Sequence, residues 1–467
     1  MIRGVTKNIN INIGANKNSP ELEAIVPQSV DRRNGKMTEA GNWQRRPGYA
    51  NKWSTGSSFP IELLIPDFGS YATTGNGKIF ALGDTPIELK GALLTGPYRP
   101  TYAAFQPTPF TPEMLILCDG GAVVKVTTAP KTVALLGGSP VHARFVDTID
   151  TRVILCGHNA IEFKWSELET AENYPAKNFN YVLGDGERIM FFKIENRLLY
   201  FFKTKSIEVW ASIGRDPWFA RQHFIKPGCG ASYSPVFANN MWHWYGNDGE
   251  FYKMTGVSPQ IISIRYRSEI DKTVNKEEMY GFHFSKERLI RWFVPAANKC
   301  FVYDYVTDIF SEDNAWINGR WMRMPIKSYM EKDGEQYIGD FNSTGKIYHW
   351  SKDHKDDNGE PIRVYRKFTV PLSADGGEAR ANLLRLRVER GNGTAQNMNP
   401  DALVRWSIDQ SDYLSENINL GAVGDHNPYV DISSLGIGRE MTFEMIESDA
   451  VDSMVTHAYL TAESLGA

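Results

Sequence analysis

Cysteine is scarce in this chain, with four in 467 residues (Cys118, Cys156, Cys229 and Cys300), and none are spaced as Cys-x-x-Cys. That number cannot build a disulfide framework for a chain of this size, so all four are expected to be reduced core residues. No apolar run approaches the 18 residues of a membrane-spanning helix, and the opening MIRGVTKNININIG has no apolar stretch of the kind a secretory leader carries. A soluble protein of a reducing compartment is the expectation. Basic excess is also missing. With 51 Lys and Arg against 55 Asp and Glu, the formal charge is -4, whereas a protein devoted to tight nucleic-acid binding carries a basic surplus. There is no phosphate-binding Walker loop, no Gly-x-Ser-x-Gly and no strand-to-helix Gly-x-Gly-x-x-Gly. The nine histidines are scattered. Only His349 and His354 stand close together, in a charged, turn-rich run that reads as solvated surface, so neither metal nor cofactor is expected.

Apolar residues (42%) and aromatics (12%) supply ample core, which excludes disorder for most of the chain. Their arrangement is repetitive. In Met241 to Met254, MWHWYGNDGEFYKM, two aromatic runs face each other across Gly246-Asn247-Asp248-Gly249, the sequence form of a β-hairpin. Similar hairpins surround Gly75-Asn76-Gly77, Asp119-Gly120-Gly121, Gly157-His158-Asn159, Lys203-Thr204-Lys205, Ala296-Ala297-Asn298 and Asn342-Ser343-Thr344-Gly345. The turn centres are separated by roughly 38 to 49 residues, within the range of a four-stranded propeller blade. Ile116-Leu117-Cys118 repeats as Ile154-Leu155-Cys156, with Ala122 matched by Ala160. A sandwich would place strands every 8 to 12 residues without such a long period. The expected fold is therefore all-β, a propeller of about seven blades over residues 61–360. Weak helical signals at Trp165 to Ala171 and Glu269 to Met279, the latter with Ser268 as a possible cap, read as insertions between blades.

Residues 1–60 are polar and irregular, too poor in apolar surface to form a domain alone. They are expected to act as an extended N-terminal arm that either closes the propeller ring with a strand or reaches a neighbour. After the charged run Ser351 to Glu360, residues 361–467 alternate with period two. Leu384, Leu386 and Val388 oppose Arg385, Arg387 and Glu389, while Ile362, Val364, Phe368 and Val370 share one parity. This predicts a small C-terminal β-sandwich. Its Arg363, Arg366, Arg385, Arg387 and Arg390 are the basic concentration of the chain, candidates for DNA-facing or inter-subunit contacts beside the plainer reading of a solvated face. Ser407-Ile408-Asp409-Gln410-Ser411 is similar to the Asp-box turn of sialidase-like proteins, a structural hairpin held by local hydrogen bonds. Asp147, Asp150, Glu167 and Glu169 near blade ends are the acids a propeller glycosidase would have to use, but spacing cannot bring two of them together.

The order of parts resembles the packaged-DNA stabilisation protein, or tail nozzle, of short-tailed bacteriophages (podoviruses). The residues that carry the resemblance are Arg46-Pro47-Gly48 after the arm, Ser206-Ile207-Glu208-Val209-Trp210 and Pro227-Gly228-Cys229-Gly230 in the propeller, and LRLRVERGNG, VRWSIDQ, LGIGRE and HAYL beyond it. Ser411 and Leu414 depart from it, standing where the family pattern has Gly and Trp. The resemblance implies a virion structural protein made in the bacterial cytoplasm and not an enzyme. It would form a hexameric ring beneath the head-to-tail adaptor, hold the tail needle and tailspikes, and retain the packaged genome until ejection. The DNA channel would be the bore of the ring, not the propeller axis. Contact with double-stranded DNA would be transient, since a mildly acidic wall offers few cations to neutralise phosphates. The alternatives from other classes are a propeller enzyme that degrades polysaccharide, such as a phage depolymerase, and a soluble peptide-binding scaffold.

Overall fold

The computed structural model describes residues 5–9, 28–37, 43–140, 142–157, 161–184, 186–216, 218–373, 376–389, 398–422, 424–425, 427–451 and 454–465. Strands dominate, and they fall into seven antiparallel units. The first is Ile61–Ile65, Tyr71–Thr74, Ile79–Ala81 and Ile87–Leu89. The next five span 101–135, 145–181, 189–225, 236–261 and 280–312, each with four strands in sequence order. The seventh takes three strands from 326–351 and its fourth from far upstream, Gly48–Ser54, which runs antiparallel to Lys346–Ser351 with Tyr49 opposite Trp350. The chain is a seven-bladed β-propeller.

Six of the seven expected turns join the second and third strands of a blade, while His158 and Asn159 of the remaining one lie outside the described residues. That position explains why those hairpins stood out. The middle strands of a blade are covered on both faces by neighbouring blades, so they read as continuous apolar and aromatic runs. The repeated Ile-Leu-Cys shows the geometry. Leu117 packs toward blade 1 while Ile116 and Cys118 pack toward blade 3. One blade on, Leu155 packs back toward blade 2 while Ile154 and Cys156 pack toward blade 4. All four cysteines are buried and free.

Between blades lie seven apolar cores, one per interface. The core between blades 7 and 1 joins Met330 and Ile347 to Ile61, Leu64 and Phe80. Beside it the Ser328 hydroxyl donates to the Ile61 carbonyl at 2.8 Å, tying the two inner strands where the ring closes. Gly48 begins the closing strand because no side chain fits there. A Cβ would lie 2.1 Å from the Asp356 carbonyl oxygen and 2.8 Å from that of His354. We expect Gly48→Ala to cost about 1–3 kcal/mol in urea denaturation, against no change for Gly83→Ala, where a Cβ meets nothing within 4 Å.

The segment before the closing strand is woven through the molecule. Gln28–Arg33 inserts between the outer strand of blade 6, Ile309–Glu312, and Val364–Pro371, making a nine-stranded sheet that continues into Glu440–Glu447, Asp401–Ile408 and Leu414–Asn419. A second sheet contains Tyr429–Gly438, Ala379–Glu389 and Met454–Ser464, joined on its far side by Trp43–Arg45 and Val5–Ile9. One core lies between the two sheets, with Leu384, Leu386, Val388, Phe368 and Val370 inside it, as the alternation predicts.

The two helical expectations fare differently from each other. Residues after Trp165 form turns, because the strand Glu162–Trp165 takes up the start of that run. In the second stretch only Arg267–Asp271 is α-helical. Its cap position is Tyr266 rather than Ser268, and no side chain caps it.

His243, in the second strand of blade 5, is fully buried, and burial pushes its pKa down to about 4. The unfolded chain therefore takes up this proton near pH 6.5, while the folded chain does so only near 4. Stability attributable to this group is full above pH 6.5 and falls by about 3 kcal/mol as pH drops to 4. Urea midpoints measured across that window should flatten in His243→Phe.

Candidate functional site at the mouth of the propeller axis

The inner strand of each blade faces the axis, and the one or two residues before it stand at one mouth of the central tunnel. In three successive blades these residues include an arginine. Arg99 precedes Thr101–Phe105, Arg144 precedes Phe145–Ile149, and Arg188 precedes Ile189–Glu195. Blade 5 presents Tyr233 at this level, blade 6 Glu277 and Glu278, and blade 7 Lys327. Together with Tyr98, Tyr280 and Phe341 they line a cavity of about 460 Å³. Below it, a smaller cavity of about 220 Å³ follows the tunnel past Leu63, Tyr102, Val146, Phe191 and Phe282. Arg99, Tyr233 and Tyr280 line both cavities and form the waist between them.

Aromatic rings hold the cations in place. The Arg99 guanidinium carbon lies 4.6 Å from the Tyr280 ring centre and 5.0 Å from that of Phe282, and its Nη2 donates to the Lys327 carbonyl. Arg144 stacks 3.9 Å over Tyr98. Behind the lining, Arg323 sits 3.5 Å over Phe341 and donates from Nη1 to the Tyr280 hydroxyl at 3.1 Å, and that hydroxyl in turn donates to the Ile326 carbonyl at 2.7 Å. The Tyr233 hydroxyl donates to the Arg99 carbonyl at 3.2 Å. Burial lowers the pKa of Arg99, opposed by Tyr280 and Glu62. It also lowers that of Lys327, whose Nζ is 3.5 Å from Glu62. Among the described residues, Arg99, Arg144 and Arg188 have no carboxylate within ion-pair distance. Arg99 Nη1, Arg144 Nε and Arg323 Nη2 are buried donors without a partner. The arrangement is a concave, aromatic-walled cavity rich in cationic groups.

The residues singled out from the sequence lie elsewhere. Asp147 accepts from the Ile194 backbone N–H at 2.9 Å and pairs with Lys193 at 3.0 Å, stapling blade 3 to blade 4. Asp150 pairs with Arg197, and Glu167 lies 3.8 Å from Arg152 and accepts from Asn178. The Glu169 backbone N–H donates to the Thr151 carbonyl at 3.0 Å. His349 stands between Glu335 at 2.8 Å and His354 at 3.1 Å, and among the described residues no group of three His, Cys, Asp or Glu is placed to hold a metal. The Asp-box-like turn is structural. The Ser407 hydroxyl donates to the Ser411 carbonyl at 2.6 Å, and Asp409 accepts from the Arg439 and Glu440 N–H groups at 2.9 Å each.

The C-terminal arginines do not form one surface. Arg366 shares the inward parity of Val364 and Phe368 and is 2% exposed. Burial lowers its pKa to about 10, against the pull of Glu447. Arg363 stacks 3.9 Å from the Trp316 ring centre. Arg385 and Arg387 face solvent on the other sheet, Arg385 in a two-pronged pair with Asp431 at 2.7 Å. Arg390 lies outside the described residues.

Seven four-stranded blades and a two-sheet C-terminal unit place the chain among the β-propeller proteins. No family model matches it, and no curated protein does. Among solved structures it is similar to the Neurospora crassa Pan2 WD40 domain (10% identity, 69% of this chain and 99% of that one, TM-score 0.43). It is similar to BamB from Moraxella catarrhalis (8%, 75% and 100%, TM-score 0.40) and to PorZ of Porphyromonas gingivalis (9%, 80% and 46%, TM-score 0.40). At these identities the likeness concerns the fold alone. No helix among the described residues is long and apolar enough to cross a membrane.

Proposed function

We propose that the chain is a structural subunit of a short-tailed phage tail, a nozzle protein that closes into a hexameric ring below the head-to-tail adaptor. In this reading the ring retains packaged DNA and carries the needle and tailspikes. The observation that supports it most is the nine-stranded sheet running from blade 6 through Gln28–Arg33 into the C-terminal unit. A ring that keeps a bore of fixed width needs the two bodies of each subunit held rigidly, and one shared sheet does that. The motifs carrying the resemblance support the same reading, because their side chains serve architecture. Arg46 is buried against Asp357, Glu208 is buried against Lys203 and Trp210, and Gly228 admits the backbone of Lys205 and Ser206.

A heterologous ring contact needs two different patches on each subunit. One suitable patch lies on the outer rim of blades 3 and 4, where Phe179, Tyr181, Leu183 and Phe224 are 38 to 58% exposed. Of the acids near the blade ends, Asp147, Asp150 and Glu167 are engaged in the contacts described above, so they do not favour the polysaccharide-degrading alternative. Native mass spectrometry at rising concentration tests the proposal. A closed ring of six 52.7 kDa chains weighs about 316 kDa, and Tyr181→Ser with Phe224→Ser should weaken it without moving the thermal midpoint. A chain that stays monomeric, with and without phage tail components, and releases reducing ends from bacterial surface glycans would overturn it.

A further inference from the structure

We propose that the axial mouth of the propeller binds a small oxyanion, a phosphate or carboxylate group carried on a compact ligand. The inference is independent of the ring assembly. Its first support is register. Arg99, Arg144 and Arg188 stand one or two residues before the inner strand in three consecutive blades, so the repeat brings all three to the lining of one cavity. A solvated charged surface has no reason to do this, since like charges brought together repel unless a counter-charge is shared.

The second support is unspent hydrogen-bonding capacity. None of the three has an ion-pair partner among the described residues, and Arg99 Nη1 and Arg144 Nε are buried without an acceptor. A buried unsatisfied donor costs about 1–3 kcal/mol, which an acceptor bound in the cavity would recover. The Arg99 and Arg144 guanidinium groups are held in position by stacking on Tyr280 and Phe282 and on Tyr98. They are therefore organised before a ligand arrives and lose little freedom when it binds. Charges of the opposite sign are present. Glu62 answers Lys327, and Glu277 and Glu278 stand exposed on the blade 6 side of the rim. They leave the side formed by blades 2 to 4 cationic.

The third support is size. A cavity of about 460 Å³ suits a compact ligand, is far too small for a duplex, and meets the cavity below at Arg99, Tyr233 and Tyr280.

Calorimetric titration of the full chain with inorganic phosphate, pyrophosphate and citrate at constant ionic strength tests this. Saturable binding of one anion per chain is expected. Arg144→Ala and Arg188→Ala should each weaken it about tenfold or more, the loss of one charge-assisted hydrogen bond. Arg385→Ala, which breaks an exposed pair on the far sheet, should leave it unchanged. Arg188 is exposed and makes no contact that folding depends on, so its variant serves if Arg144→Ala does not fold. Tightest binding of a phosphate would mark a phosphorylated ligand, and tightest binding of citrate a carboxylate. Either supports the site. No saturable heat at millimolar anion, or equal affinity in all three variants and the parent, would overturn it.

Discussion

Replacing Arg46 with alanine is expected to destabilise the protein by about 3–5 kcal/mol, a large part of the roughly 5–15 kcal/mol that holds a typical domain together. The side chain is almost wholly buried where the N-terminal segment, the linker between blades 6 and 7 and the C-terminal unit meet. It forms two bonds to the Asp357 carboxylate, at 2.8 and 2.6 Å, a third to Asn34 Oδ1 at 3.1 Å, and further bonds to the carbonyls of Pro47 and Asn314. The Trp350 ring lies 5.6 Å away. Burial pushes the Asp357 carboxyl up despite Arg46, while Asp357 holds the Arg46 guanidinium up despite burial. The pair therefore gains little from being charged in the interior, but taking away one member strands the other with no water to replace it. Two outcomes separate this from a simple loss of packing. Arg46→Ala alone should lower the urea midpoint steeply, and Arg46→Met with Asp357→Leu should restore much of it. If the double substitution is as unstable as the single one, the stranded charge is not the cause.

Residues that look polar and irregular in the sequence can thus be the most tightly held in the fold. The hairpins of the seven blades were legible because their middle strands are buried on both faces and so repeat the same apolar pattern. The outer strands were not, since in blades 1 to 5 each has a neighbour on one side only, and they carry mixed residues such as the Phe219–Ile225 strand, FARQHFI. The N-terminal strands were invisible for another reason. Gln28–Arg33 owes its strand conformation to partners about 280 and 340 residues away, and nothing local specifies it. Arg366 shows where strand parity was sufficient but not applied. Counting by twos from Val364 puts it inside, whereas grouping it with other arginines by composition put it outside.

The axial mouth was also readable. Arg99, Arg144 and Arg188 recur at 45- and 44-residue steps, within the range of the hairpin spacing, one or two residues before an inner strand. Basic residues scattered through a chain attract no notice when they are scored by clustering along the sequence. Scored at the repeat period, these three fall within a residue of one column. What could not be read was the company they keep, because Tyr98, Tyr280 and Phe282 reach the guanidinium groups only after the ring closes.

Ring closure is where the largest loss is expected. Deleting residues 1–55 removes both Gln28–Arg33 and Gly48–Ser54, and we expect no folded protein from it. Blade 7 would present Lys346–Ser351 as a bare edge with the Ile347, Tyr348 and Trp350 positions uncovered, an open template for aggregation. Tyr49, which packs 5.0 Å from Tyr348 and 6.2 Å from Trp350, would take its burial with it, about 2 kcal/mol for one large side chain. Asp357 would lose Arg46, with the cost already given. The nine-stranded sheet would break between blade 6 and Val364–Pro371. Deleting only residues 1–27 leaves all of these contacts and removes, of the described strands, Val5–Ile9 at the edge of the second sheet. That variant should remain soluble with a modestly lower midpoint. Limited proteolysis and circular dichroism of the two truncations decide the matter. A 1–55 deletion that keeps a cooperative unfolding transition near that of the full chain would mean that blade 7 closes without its borrowed strand. The N-terminal segment would then be dispensable to the fold and free to serve as a contact between subunits.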